Sequence, residues 1–279
     1  MKKKLTISFI SFLCCHLVIA QTLEKIKGNR NVITKQTNIE SFHTIALDDD
    51  FKVELIHNNT PSIEIETDEN LHEIIEFTVQ DSILRLKKTL KITSKKALYI
   101  RVSYDNSLKN IQTTDNAEIS SITSINLANI VLNTKGNSNA ALTIKSDNFS
   151  YEASDKSKAK LNITSEHCSI NQIGTTKLEA LINSKQFAAI LYQRANAIIE
   201  GSCDEGILEM DNNTTFNGKN FTMNTCNTIC EINSDAYIEV LEKLTLNISG
   251  TSSIYIYENP QIIINKFTDT SKIEKKVKK

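Results

Sequence analysis

The chain has 279 residues and a mass of 31.3 kDa, with 32 Lys and Arg against 33 Asp and Glu for a net charge of -1. That length is one to two domains' worth, and no segment is basic enough to track a phosphate backbone, so a nucleic-acid partner is excluded. Pro occurs twice, Trp is absent, Asn is abundant at 29 residues, and long helical periodicity is missing, so the composition reads as strands.

In chain order, residues 1–20 read as a signal peptide. Lys2, Lys3 and Lys4 precede the apolar run Leu5 to Ile19, and Val18-Ile19-Ala20 forms a cleavage site before the polar Gln21. The run is too short for a membrane anchor. Cys14 and Cys15 lie within it, but Leu13 is bulky where lipobox processing wants a small side chain. Without its three lysines the chain carries 29 basic and 33 acidic residues. The expectation is a mildly acidic exported protein without a transmembrane segment after signal removal, in the periplasm, on the outer-membrane surface or outside the cell.

Residues 21–104 read as an N-terminal β region. Phe51, Val53 and Leu55 alternate with polar residues, as do Ile63 and Ile65, Leu84 and Leu86, and Leu98, Ile100 and Val102. This is the period of half-buried strands. Asn58-Asn59-Thr60-Pro61 marks a turn, and Asn70 to Glu76 a helical turn or bend.

The middle of the chain repeats. Ala140, Ala159, Leu178 and Ala197 recur every nineteen residues, as do Leu142, Leu161, Ala180 and Ile199. Ile144, Ile163 and Ile182 form a third column, followed by Ser146, Ser165 and Ser184; Phe149, Cys168 and Phe187 form a fourth, and Tyr151, Ile170 and Ala189 a fifth. One coil of short strands cannot bury its inward face alone, whereas stacked coils align like residues into apolar columns. Asn and Ser suit the corners between strands, since Asn tolerates left-handed backbone. The fold class read from these columns is all-β: a right-handed parallel β-helix-like solenoid, with the N-terminal strands continuous with or capping the coils. The columns become irregular at Gly201, Gly206 and Gly218, and coils are expected over 105–265, before a lysine-rich C-terminal tail at 266–279. A sandwich explains the alternation but not the common period, and a leucine-rich repeat lacks its Leu pattern.

Several segments along this chain resemble one known family. Gly28-Asn29-Arg30-Asn31-Val32-Ile33-Thr34, Phe42-His43-Thr44-Ile45, Phe51-Lys52-Val53-Glu54-Leu55 and Asp68-Glu69-Asn70-Leu71 resemble the putative auto-transporter adhesin family with a head GIN domain. The likeness continues through Asp81 to Leu86 and Leu98 to Val102. It implies stacked β-helical coils, an exported protein of a Bacteroidetes-type bacterium, and no catalytic residue set. The chain departs from the family's Gly-Ser-Gly corners by using Asn, Ser and Lys.

Three function classes follow. The leading one is a non-catalytic surface interaction module that binds an extended glycan or a protein, with Tyr255 and Tyr257 as a candidate outward aromatic pair. The alternatives are an envelope assembly part, with a homo-oligomer or stable protein partner, and a β-helical polysaccharide-cleaving enzyme, which would need clustered carboxylates. Asp48, Asp49 and Asp50 form the densest acidic run, and the same three suit a turn. His43, His57, His72 and His167 lack metal-ligand spacing, so no cofactor or metal is expected. Cys168, Cys203, Cys226 and Cys230 permit three pairings, although Cys226 and Cys230 on one strand would share a face and sit poorly for a bridge.

Overall fold

A computed structural model describes residues 24–278. The predicted signal peptide, and Lys279, lie outside the described residues.

The chain is a β-solenoid built almost wholly from parallel bridges. Its regular middle consists of the strands Asn139–Ala153, Lys158–Ile173, Lys177–Tyr192, Asn196–Asp211 and Thr215–Cys230, each bridged in parallel to the next. The predicted columns are the bridge partners themselves: Ala140 faces Ala159, which faces Leu178, which faces Ala197. Each long strand turns a corner near its centre. There Asp147, Glu166, Lys185 and Asp204 drop out of the bridge register, and two successive residues such as Glu166 and His167 face outward. Each rung therefore has a leading face, typified by Lys158 to Ser165, and a trailing face, typified by His167 to Ile173.

Inward positions form one continuous apolar core. Ile163, Ile182 and Leu208 are at most 1 % exposed, and full burial of such a side chain contributes about 1.5–3 kcal/mol. The repeat is set equally by its turns. Asp115, Gly136, Asp155, Gly174, Gln193, Asn212, Ile232, Gly250 and Asp269 all have positive φ at equivalent positions of successive rungs. Asp, Asn and Gly dominate because they tolerate this backbone region best. Under each turn lies a buried small residue, mostly with a hydroxyl: Ser138, Ser157, Thr176, Thr214, Ser234 and Ser252. Thr134 Oγ1 donates to Ser157 Oγ at 2.9 Å, and Ser157 Oγ donates to the Ser154 carbonyl at 2.9 Å. These bonds offset the cost of burying the hydroxyls.

Stacking extends beyond the coil range read from the sequence. Thr44–Leu47 and Lys52–His57 form a full rung, bridged in parallel to Asn110–Thr113 and Glu118–Ser121 on one side. On the other side Thr44–Leu47 bridges Ile83–Lys88 and Lys52–His57 bridges Leu98–Tyr104. The chain thus lays one rung, leaves to build the rung below it, and returns to continue above. The terminal rung is closed by antiparallel partners: Ser62–Asp68 pairs with Leu98–Tyr104, Val32–Asn38 with Ser62–Asp68, and Ile75–Gln80 with Ile83–Lys88. A 3-10 helix, Glu69–Ile74, presses the buried Leu71 and Ile74 onto this end. Such a cap satisfies strand edges that would otherwise pair with other chains.

The lysine-rich C-terminal segment is also not a free tail through Lys275. Gln261–Phe267 and Lys272–Lys275 make the last rung, bridged to Asp235–Ile248 and Ser253–Ile256. Its Ile262, Ile264 and Phe267 are 43–53 % exposed.

Candidate functional site

The acidic run takes its place in the turn column. Asp49 has positive φ, and its carbonyl accepts from the Asn116 amide at 2.8 Å across the rungs. Lys88 forms ion pairs with Asp49 and Asp50, and its ammonium lies 4.8 Å from the centre of the Phe51 ring. Among the described residues, no group of three or more His, Cys, Asp or Glu side chains is placed to hold a metal ion.

The histidines are dispersed. His57 Nε2 meets Asn106 Oδ1 at 3.0 Å, and its ring packs edge-on to Tyr104. His72 Nε2 donates to the Ile33 carbonyl at 3.2 Å. The His43 carbonyl accepts from the amides of Lys109 and Asn110. His167 Nδ1 meets Gln186 Oε1 at 2.8 Å on the coil surface. Cys168, Cys203, Cys226 and Cys230 are buried free thiols. Burial raises all four, Cys168 and Cys230 to about 12 and Cys226 to about 11.

Tyr255 points outward on the leading face. It stacks on Tyr237 with ring centres 4.4 Å apart and planes 17° from parallel, and Lys276 Nζ covers it at 4.9 Å. Tyr237 sits one rung earlier in the same column, a partner that a search confined to the segment around Tyr255 misses. Tyr257 is half-buried, and its carbonyl accepts from Lys275 Nζ.

The more developed surface is the trailing face. An open groove of about 740 Å³ runs across six rungs there. Its wall is a column of exposed polar side chains at successive bridge positions: Asn129, Asn148, His167, Gln186 and Glu205. Asn148 Nδ2 donates to Asn129 Oδ1 at 2.9 Å, His167 Nδ1 pairs with Gln186 Oε1 at 2.8 Å, and Gln186 Nε2 donates to Glu205 Oε2 at 3.3 Å. The neighbouring column, Ser150, Ser169 and Ala188, is small and leaves space above the sheet. On the same face Ile173, Tyr192, Ile207 and Ile229 are exposed by 38–48 %, and Ile173 and Tyr192 are bridge partners. Sequence reasoning missed this column because its members differ in type, although their nineteen-residue spacing is the period of the core.

A second groove, of about 630 Å³, crosses the leading face near the N-terminal end. Tyr99, 67 % exposed, lies on its lining, and the ion pairs Lys52–Glu118 and Lys160–Glu179 cross its rungs.

Comparison with known proteins places these features in a family. The family model described as "Putative auto-transporter adhesin, head GIN domain" matches residues 41–181 and 162–260. No curated protein matches the sequence. Among solved structures, a putative adhesin from Parabacteroides merdae is similar over 91 % of this chain and 99 % of its own, with TM-score 0.59 and 19 % identity. A putative lipid binding protein from Parabacteroides distasonis is similar over 91 % and 98 %, with TM-score 0.62 and 14 % identity. A putative adhesin from the same species covers 90 % and 100 %, with TM-score 0.59 and 16 % identity. At these identities the likeness is one of fold.

Proposed function

The chain belongs to the putative auto-transporter adhesin, head GIN domain family, and from that premise we propose that it is a non-catalytic exported module, adhesin-like in use, whose trailing face makes the contact. The observation that carries this reading is the groove itself, where a hydrogen-bonded polar column lies beside exposed isoleucines on a rigid stack. Solenoids use such extended faces for recognition because every contributing side chain is held at a fixed rung spacing. The proposed place of contact is the periplasm, the outer-membrane surface or the outside of the cell.

The test is retention of labelled protein on envelope fractions that bear glycans and proteins. The parent protein is expected to be retained. A variant carrying Ile207→Lys and Tyr192→Lys should be lost from the fraction while its circular dichroism and melting stay unchanged. Equal retention of this variant refutes the trailing face as the contact surface. Release of new reducing ends from a polysaccharide substrate refutes the non-catalytic part.

A second reading, an envelope assembly part, draws support from the last rung. Its apolar Ile262, Ile264 and Phe267 are half-exposed, whereas the opposite end is capped. An uncapped edge is where another chain adds. Sedimentation of the parent against Ile264→Lys decides it, since only an assembly through this end shifts with that change.

A further inference from the structure

We infer that the polar column of the trailing face is a subsite array for an extended, non-acidic oligosaccharide lying along the solenoid axis, about one sugar per rung. This rests on the trailing face being the contact surface and assigns the chemistry of what it holds.

The first argument is the direction of the hydrogen bonds. A carboxylate only accepts, so Glu205 sets the orientation of the Gln186 amide: its nitrogen faces Glu205 and its oxygen faces His167. A carbonyl oxygen in turn only accepts, so His167 carries its proton on Nδ1. Asn148 and Asn129 hold each other through one amide–amide bond. Each side chain then has a group remaining for a ligand: Asn129 and Asn148 the amide positions outside their shared bond, His167 Nε2, Gln186 its second N–H, and Glu205 Oε1. Donors and acceptors alternate irregularly along one line. Sugar hydroxyls donate and accept at once and can satisfy either kind. Orientations set before binding also reduce the ordering cost that contact with a flexible ligand incurs.

The second argument is spacing. Successive rungs lie about 4.8 Å apart, close to the advance per sugar of an extended pyranose chain. An extended peptide advances about 3.3 Å per residue, so its side chains fall out of step with the column. The backbone groups of these strands are already bridged on both sides within the stack, which leaves no edge on this face for a peptide to join as an added strand.

The third argument is charge and floor. The corner beside the column carries Asp147, Glu166, Lys185 and Asp204, and Lys185 is tied to Glu166 in an ion pair. With Glu205, four carboxylates oppose one ammonium, a field that disfavours acidic sugars at separations within a Debye length of about 8 Å. Ser150, Ser169 and Ala188 leave room for a ring, and the exposed Ile207 offers an apolar contact to its C–H face.

The experiment is calorimetric titration of the purified protein with cello-oligosaccharides of increasing length, with chitohexaose, and with an oligogalacturonate of matching length. Affinity for at least one neutral series is expected to rise with length and level off near the length of the column. The acidic oligomer should bind at least about tenfold more weakly. Gln186→Met and Asn148→Leu should each weaken binding by about tenfold with melting unchanged. Equal binding of a monosaccharide and a hexasaccharide, equal binding of the acidic oligomer, unaffected variants, or no binding of any glycan would each overturn the assignment. In the last case loss of envelope retention by the Ile207→Lys and Tyr192→Lys variant would leave the contact surface standing with a different ligand, whereas its retention would remove both.

Discussion

Gly201 is the position at which one methyl group should damage the stack most. It follows Ile144, Ile163 and Ile182 in an inward column and is itself followed by Phe221. Its φ is +109°, and an added Cβ would fall onto the carbonyl oxygen of Ile182, with the carbonyl carbon only 2.9 Å away. Both contacts are backbone, so no side chain can move aside. Substitution by Ala costs about 1–3 kcal/mol in backbone strain. Displacing the strand weakens a cross-rung hydrogen bond, about 1 kcal/mol, and crowds Phe221, which packs edge-on to Phe187 at 4.9 Å, for about 1–3 kcal/mol more. The total is roughly 3–7 kcal/mol.

Gly206→Ala is the internal control, because there the new methyl meets Met223 Sδ at 2.6 Å, the far part of a flexible side chain, and should cost only about 1 kcal/mol. The assay is urea unfolding with amide hydrogen exchange. Gly201→Ala should lower the midpoint strongly and open amides of the strands Lys177–Tyr192 to Thr215–Cys230 before those at the N-terminal end, since a solenoid transmits stability mainly between neighbouring rungs. A loss at Gly201 no larger than at Gly206 would refute the backbone-clash argument.

The N-terminal cap should be acid-sensitive through Asp68. The side chain is fully buried. Burial pushes its carboxyl upward, but the amides of Arg30, Lys96 and Ala97 outweigh this and hold it below the ordinary value. A lowered folded value gives stability that is complete above the unfolded value of about pH 4 and is lost as pH falls through the folded one. Asp68→Asn should therefore be less stable near neutrality and show a shallower stability loss below about pH 4, followed by thermal melts across that range; parallel pH profiles for the two proteins would contradict it. The thiols should be inert in the native state. With Cys168 and Cys230 at about 12 and Cys226 at about 11, iodoacetamide in mildly alkaline buffer should label almost nothing until denaturant is added, and then all four, as counted by mass spectrometry; fast native labelling would show that these sites open.

The core of the repeat was legible because hydrophobic burial acts on each coil separately. Every coil must fill the same inward positions, so Leu142, Leu161, Ala180 and Ile199 recur at the spacing that the backbone bridges later realise. The irregularity at Gly201, Gly206 and Gly218 was visible too, but its meaning was not. Gly201 lets the backbone approach Ile182 on the previous rung, Gly206 leaves room for Met223 on the next, and Gly218 leaves room for Phe216 on its own strand, and these close approaches are a property of packing.

The outward columns carry no such constraint. Asn129, Asn148, His167, Gln186 and Glu205 share a position but not a chemistry of burial, so hydropathy does not mark them, and their bonding becomes apparent only when the rungs are superposed. Tyr255 was singled out by its alternation with Ile254 and Ile256, whereas its stacking on Tyr237 left no mark in the sequence.

Amino-acid pattern alone determined the strand composition, the nineteen-residue period and the inward columns, since these depend on local alternation and on burial repeated coil by coil. The order of rungs at the N-terminal end was decided only in three dimensions. Thr44–Leu47 bridges Ile83–Lys88 below and Asn110–Thr113 above, and strands so far apart in sequence are matched by edge pairing and cap packing, which leave no periodic trace. The last rung is the same case: Lys272–Lys275 reads as a charged tail, but the open edge of Ser253–Ile256 supplies the bridges that fold it.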